Sequence, residues 1–202
     1  MDGRLAVLVS GSGTNLQVLL DDPVIAPHVV VVGSDRPDVK ALDRAEAAGV
    51  AAFVIEPSAL PDRAAFTAAF RDELLARGVD TVVLAGFMRV LGPAFCEAFP
   101  ERVLNVHPAL LPAFPGARAV EDALAWGAKV TGVTVHLVDE EVDHGPIVLQ
   151  EAVPIRPDDD WDALEVRIHD AEHRLLPQAV TALLEGRLTV DGRRVRVGAA
   201  AS

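Results

Sequence analysis

Short apolar runs alternate along the chain with longer stretches in which leucine and alanine recur every three or four residues. Leu5–Val9 is a continuous aliphatic run. Ser10-Gly11-Ser12-Gly13-Thr14-Asn15 follows at once, and Leu16, Leu19 and Leu20 then fall at helical spacing, which reads as strand, glycine turn, helix. Val29–Val32 is a second strand, ended by Gly33, and Lys40–Ala48 is a helix with Gly49 at its C-terminal end. Ala51–Ile55 is a third strand. A long helix opens at Pro61 and runs to about Arg77, where Gly78 stops it. Thr81–Ala85 is a fourth strand, stopped by Gly86, and Arg102–Val106 a fifth, after the short Gly92–Phe99 segment. Helical spacing resumes over Ala119–Trp126. Strands that alternate with helices in this way predict crossover units and a mostly parallel sheet.

The second half changes character. Val130–Val138 and Ile147–Ile155 are β-rich runs joined by a short acidic loop, the pattern of an antiparallel pair. Trp161–Glu185 reads as one long helix with Pro177 as a point of bending. Arg187–Val197 reads as a hairpin around Asp191-Gly192, and Gly198–Ser202 as a frayed end. The predicted fold is α/β: a Rossmann-like, open, twisted, mostly parallel sheet with helices on both faces and an antiparallel C-terminal strand pair. With no repeat, low-complexity tract or linker, residues 1–202 read as a single domain.

Charge narrows the function. The 202 residues carry 18 Lys and Arg against 30 Asp and Glu, a formal net charge of −12. So negative a surface repels phosphate backbones and anionic lipid, which argues against nucleic-acid and membrane partners but leaves room for an anionic small molecule held by local donors. The single cysteine, Cys96, forms no internal disulfide and fits a reducing compartment. Met1-Asp2-Gly3-Arg4 leads straight into the first strand without a cleavage pattern, and no apolar stretch has the roughly 18 residues of a membrane span, so the expected location is cytoplasmic.

Three clusters carry candidate chemistry. Gly11, Gly13 and Asn15 sit where the first strand hands over to the first helix. Glycines there admit a ligand close to the backbone, and the helix start offers N–H groups and partial positive charge to a phosphate. The plain alternative is a tight turn capped by Asn15, since both the third glycine of a dinucleotide fingerprint and the Gly-Lys-Ser/Thr of a triphosphate loop are missing. On the phosphate reading, Gly13→Val weakens ligand binding and leaves the fold intact.

Asn105 and His107, two apart at a strand end, face one way if extended geometry persists past Val106. An amide able to hold an oxyanion beside an imidazole able to move a proton suits acyl transfer, whereas the bland reading is a structural histidine capped by Pro108. In the acidic loop Asp139–His144, Glu140 and Glu141 read as solvated. Asp143 beside Gly145-Pro146 is placed to stabilise a protonated His107 and raise its pKa. His136, Asp143 and His144 lack any zinc or calcium spacing, so no metal is expected. His169 and His173 read as polar rim residues of the last helix, and Asp158-Asp159-Asp160 as its start.

Five segments follow one another in an order that resembles the folate-dependent formyltransferases. They are Ser-Gly-Ser-Gly-Thr-Asn at 10–15, Leu-Ala-Gly-Phe-Met-Arg-Val-Leu at 84–91, Asn-Val-His-Pro-Ala-Leu-Leu-Pro at 105–112, Gly-Val-Thr-Val-His at 132–136 and Val-Asp-His-Gly-Pro-Ile-Val-Leu-Gln at 142–150. The glycine loop and Phe-Pro-Gly at 114–116 point, within that family, to the phosphoribosylglycinamide formyltransferases of purine biosynthesis. The resemblance spans about Arg4 to Arg187.

It implies transfer of the formyl group of 10-formyltetrahydrofolate to the amine of phosphoribosylglycinamide, without a metal. Asn105, His107 and Asp143 match the catalytic trio, with Asp143 keeping His107 charged. Gly13, Thr14 and Asn15 match the phosphate site. Glu172 matches a ribose-holding residue and is assigned together with His169, Asp170 and Ala171. Met88, Arg89, Val90 and Leu91, with Asp139, Glu140, Glu141, Val142 and Asp143, match the residues around the pterin, Asn105 also lies on the folate side, and Arg63 matches a residue near the benzoyl-glutamate end. The implied partners are small molecules only, for a monomer or homodimer.

Two positions depart from the family pattern: Ala109 replaces a common serine, and His144 replaces a small residue and is expected to crowd or retune the neighbouring acid. The alternatives are a formyltetrahydrofolate hydrolase, expected to carry an extra N-terminal domain; a methionyl-tRNA formyltransferase, expected to carry a basic RNA-binding domain; and a non-catalytic nucleotide-binding module on the same fold. Only the catalytic readings need Asn105, His107 and Asp143 to converge.

Overall fold

The computed structural model describes residues 3–199, so the end of the expected frayed tail, residues 200–202, lies outside the described residues. The chain divides into two compact units, one up to Leu104 and the other from Asn105.

In the first unit four strands, β1 (Leu5–Val9), β2 (Val29–Ser34), β3 (Ala51–Val54) and β4 (Thr81–Leu84), lie in the order β3-β2-β1-β4, all parallel. Helices α1 (Thr14–Asp21), α2 (Lys40–Ala47) and α3 (Arg63–Ala76) connect them, and α4 (Pro93–Ala98) follows β4. Every residue of β1 is fully buried, which is why its sequence is continuously aliphatic rather than alternating. Phe66 and Phe70 of α3 meet each other at 4.8 Å between ring centroids, and Phe70 meets Phe53 and Phe87 at 5.4 and 5.3 Å. That aromatic cluster fixes α3 against the sheet.

Two boundaries differ from the sequence reading. Gly33 does not end β2; it lies inside it, because a Cβ there would sit 2.7 Å from Leu8 Cδ2 and 2.7 Å from Phe53 Cζ. The glycine makes room for its neighbours. Helix α3 begins at Arg63 rather than Pro61, because the Asp62 carboxylate accepts from Ala65 N at 2.8 Å and caps the first turn.

Strand β5 (Val103–His107) carries the unit boundary, and it extends one residue further than expected, through His107. The second unit then holds α5 (Ala119–Trp126), β6 (Val130–Leu137), β7 (Ile147–Pro154), α6 (Trp161–Leu184), β8 (Leu188–Asp191) and β9 (Arg194–Val197). The order is β6-β7-β9-β8: β6 and β7 form the expected antiparallel pair, β8 and β9 a hairpin, and β9 pairs parallel with β7 through Ile147 and Arg194. Taken over the strands of both units, the pairing is open and mixed, mostly parallel. Asp160 caps α6 by accepting from Ala163 N at 2.8 Å, and the helix runs as one element through Pro177. Its stripe of Leu164, Ile168, Leu175, Leu176, Ala179 and Val180 is buried, and it packs on β6 and β7. Among the described residues no helix is long and apolar enough to cross a membrane.

Candidate functional site

The second unit brings Asn105, His107 and Asp143 together. Asn105 and His107 project to the same side of β5, as period-two geometry requires once the strand continues through His107. Asn105 Nδ2 donates to Asp143 Oδ1 at 3.3 Å, and His107 Nδ1 lies 3.4 Å from Asp143 Oδ2. Asp143 has φ +52°, in the left-handed region that an aspartate adopts at some cost. Its carboxylate is held there by the Gly116 N–H, which donates to Oδ2 at 2.7 Å. Gly145 lets the loop close on β6, since a Cβ there would lie 1.8 Å from the Leu137 carbonyl oxygen.

The imidazole of His107 is 4% exposed, and its Nε2–H donates to the Phe114 carbonyl at 2.8 Å. A carbonyl only accepts, so Nε2 carries a proton in either charge state, and neutral His107 turns its Nδ1 lone pair toward Asp143. Burial pushes the His107 pKa below its ordinary value and outweighs both the Asp143 charge and the Phe114 carbonyl, which push it up. The Asp143 charge raises it, as expected, but desolvation is the larger effect and the net shift is downward. Burial pushes the Asp143 carboxyl up, yet His136, the Gly116 N–H and His107 together hold it below the ordinary carboxylate value. Asp143 is therefore ionised at neutral pH.

His136 joins this cluster, although the sequence reading considered it only as a metal ligand. Its Nδ1 lies 2.9 Å from the Leu137 carbonyl oxygen, and its Nε2 lies 3.1 Å from Asn105 Nδ2 and 3.7 Å from Asp143 Oδ1. It is 1% exposed, at the buried end of β6. Its place within the Gly-Val-Thr-Val-His motif was the available signal. The Phe114 carbonyl and Gly116 N–H could not be found from sequence, because any residue offers those groups.

Around this centre the acidic loop sorts itself. Asp139 accepts from Glu141 N at 3.0 Å and from His144 Nδ1 at 2.7 Å. Glu140, Glu141 and Val142 are exposed. The His144 ring turns to Asp139. Ala109 is fully buried, and its carbonyl accepts from Thr134 Oγ1 at 2.7 Å. On α6, His169 Nε2 lies 3.9 Å from Glu172 Oε2; Glu172 and Ala171 are buried and Asp170 is exposed. Among the described residues no group of three or more His, Cys, Asp or Glu is placed to hold a metal ion.

In the first unit Gly13, Thr14 and Asn15 form the start of α1, with Gly13 at φ +70°. The four first N–H groups of a helix have no intrahelical acceptor, so this end can receive an anion. Gly13 has a second duty that the sequence did not disclose: a Cβ would sit 2.6 Å from Ala41 Cβ, so the glycine lets α2 pack on the loop. The expectation that Gly13→Val spares the fold is therefore corrected. Met88, Arg89, Val90 and Leu91 lie between Gly86 and Gly92. Ser10 Oγ accepts from Met88 N at 2.8 Å, and Arg89 Nε donates to the buried Asp35 carboxylate at 2.6 Å. Met88 and Val90 stay exposed and Leu91 is buried. Arg63 is exposed at the first position of α3.

The chain is similar to known proteins along most of its length. The formyl transferase family pattern matches residues 3–180. The phosphoribosylglycinamide formyltransferase of Mycobacterium tuberculosis is 48% identical over 197 residues, 96% of this chain and 91% of that protein. The Bacillus subtilis protein of the same name is 38% identical over 184 residues, 90% of this chain and 94% of that one. The crystal structure of glycinamide ribonucleotide transformylase 1 from Symbiobacterium toebii superimposes with a TM-score of 0.93 at 50% identity, covering 97% of this chain and 94% of that chain.

Proposed function

The chain belongs to the formyl transferase family, and from that premise we propose that it transfers the formyl group of 10-formyltetrahydrofolate to the amine of 5′-phosphoribosylglycinamide. The observation that carries the reading is the meeting of Asn105, His107 and Asp143, drawn from positions up to 38 residues apart, around one carboxylate.

In the proposed reaction the substrate amine attacks the formyl carbon, a C–N bond forms and the formyl oxygen becomes an oxyanion. Asn105 Nδ2 and His107 Nε2–H donate to it. Both donors are engaged with protein partners, so productive binding exchanges the Phe114 carbonyl for the oxyanion on His107 Nε2. This donor exists in the neutral imidazole, so burial of His107 does not silence it. The space between Nδ1 and Asp143 Oδ2, 3.4 Å wide and flanked by acceptors on both sides when His107 is neutral, receives the proton that the amine loses. That proton passes to the folate N10 as the N10–C bond breaks, giving formylglycinamide ribonucleotide and tetrahydrofolate.

The same proposal assigns the substrate phosphate to Gly13, Thr14 and Asn15, the ribose to Glu172 with His169, Asp170 and Ala171, and the folate to Arg63, Met88, Arg89, Val90, Leu91, Asn105 and the loop Asp139, Glu140, Glu141, Val142 and Asp143. Exposed Met88 and Val142 support the pterin assignment, because each offers an apolar surface to a flat ring. We read residues 1–202 as one formyltransferase domain that works in the cytoplasm as a monomer or homodimer, on small molecules alone. The family match over 3–180 and the charge of −12 support this.

The test mixes glycinamide ribonucleotide with a 10-formyl folate analogue and follows folate absorbance. Amine-dependent turnover is the expected result. Equal turnover without the amine identifies a hydrolase, and ligand binding without turnover a non-catalytic module.

A further inference from the structure

We propose that Arg193 is a positioning residue for the loop that carries Asp143. From the tip of the β8–β9 hairpin it grips His144 and, through it, Asp139, and so holds segment 139–144 in the conformation that turns the Asp143 carboxylate toward Asn105 and His107. The proposal rests on the reading of Asp143 as part of the catalytic trio.

The contacts form a directed chain. Arg193 Nη2 donates to the His144 carbonyl at 2.5 Å, and Nη1 lies 3.2 Å from His144 Nε2. A guanidinium has donors only, so Nε2 accepts and the imidazole proton sits on Nδ1. Nδ1–H then donates to Asp139 Oδ2 at 2.7 Å, while Asp139 Oδ1 accepts from Glu141 N at 3.0 Å. One arginine thereby fixes both the backbone and the side chain of His144, and the histidine ties the far end of the loop back to its start.

Sheet register explains why the two ends meet. The hairpin turns on two residues, Gly192 at φ +56° and Arg193, and Arg194 pairs with Ile147. The residue before β9 is thus delivered beside the residues before β7. The loop needs such a hold because Asp143 sits in left-handed backbone, which an aspartate leaves readily when nothing opposes it. Gly145 secures one side against the Leu137 carbonyl, and the Arg193–His144–Asp139 chain secures the other. Without a ring at 144 neither nitrogen contact forms, so the chain of contacts depends on His144.

The test compares the full-length protein with Arg193→Met, Arg193→Lys and His144→Gly. It measures kcat, KM for glycinamide ribonucleotide, and the NMR titration of His107. Arg193→Met is expected to lower kcat about tenfold, as a small misplacement of a reacting group does, with that KM unchanged. Its His107 titration is expected to move down as the carboxylate recedes. Arg193→Lys restores part of the loss, because an ammonium reaches the carbonyl but not both acceptors at once. Adding His144→Gly to Arg193→Met costs less than His144→Gly does in the wild-type protein, because the two share one chain of contacts. If Arg193→Met fails to fold, His144→Gly alone carries the same readouts. Wild-type kcat with an unmoved His107 titration overturns the proposal, and so does a fall in kcat that leaves the titration unmoved, which marks a merely structural role. Asp143→Asn runs beside them: if it too retains full turnover, the catalytic reading fails, while the His107 titration of Arg193→Met still decides whether the loop is held.

Discussion

The two units reach their proposed tasks by different means. Up to Leu104 the chain offers ligands mainly backbone: the first turn of α1 and a loop after β4 pinned by Ser10 and Asp35. From Asn105 onward the work falls to side chains that meet across long separations, Asn105 and His107 on one strand, Asp143 from a loop and His136 from another strand. Backbone donors are fixed by secondary structure and tolerate many side chains. Side-chain constellations depend on register and on loop conformation, so a single substitution removes them. The first unit should therefore fail through folding and the second through chemistry.

The largest expected effect tests that contrast directly. His107→Ala should lower kcat by about 10²–10⁴-fold, the usual contribution of a positioned acid–base group, with the thermal midpoint little changed. Near-normal turnover would remove His107 from the reaction. Asn105→Ala should follow at about 10²–10³-fold, as the loss of one oxyanion donor; a change confined to KM would assign it to binding alone. Asp143→Asn should reduce kcat and shift the acidic limb of the pH–rate profile to lower pH, because His107 loses the one charge that raises it. An unmoved limb would contradict that coupling.

In the first unit, Gly13→Val should instead destabilise the fold by about 1–3 kcal/mol, since the new side chain meets Ala41 and the backbone is left-handed. A wild-type unfolding midpoint with weakened ligand binding would reverse the assignment and make Gly13 a ligand position only.

The smallest expected effect is in the pH dependence of stability. The native state holds His107 neutral, so an unfolded chain gains its proton first as pH falls below the ordinary value of 6.5, and stability declines from there until the native imidazole also protonates. Asp143 adds stability above its ordinary value of 3.8, which is lost as pH drops through its lower native value. Urea midpoints measured against pH should show both declines. His107→Asn should shrink the upper one, to which His173 also contributes, and Asp143→Asn the lower, to which Asp159 also contributes; identical curves for all three proteins would show that neither group is linked to folding.

The legibility of the two units differs for the same reason as their function. Strand β1 could be read because burial on both faces forces a continuous aliphatic run, and the helices because their glycine stops and apolar spacing are local. The end of β2 was misplaced because Gly33 serves Leu8 and Phe53, which lie elsewhere in the chain. His136 was undervalued because a histidine in a buried strand looks the same whether it is filler or a partner of Asn105. The parallel pairing of β9 with β7 left no mark in the sequence at all, since strand partners are chosen by packing.

By itself the sequence determined the order of elements, the identity of the polar residues at the strand ends and the family to which the chain belongs, because periodicity, turn residues and motifs are properties of neighbours. Only the tertiary structure decided that burial outweighs the Asp143 charge at His107, that Gly13 serves Ala41, and that Arg193 reaches His144. Desolvation, steric fit and register depend on distances between residues remote in the chain, and those distances exist only once it has folded.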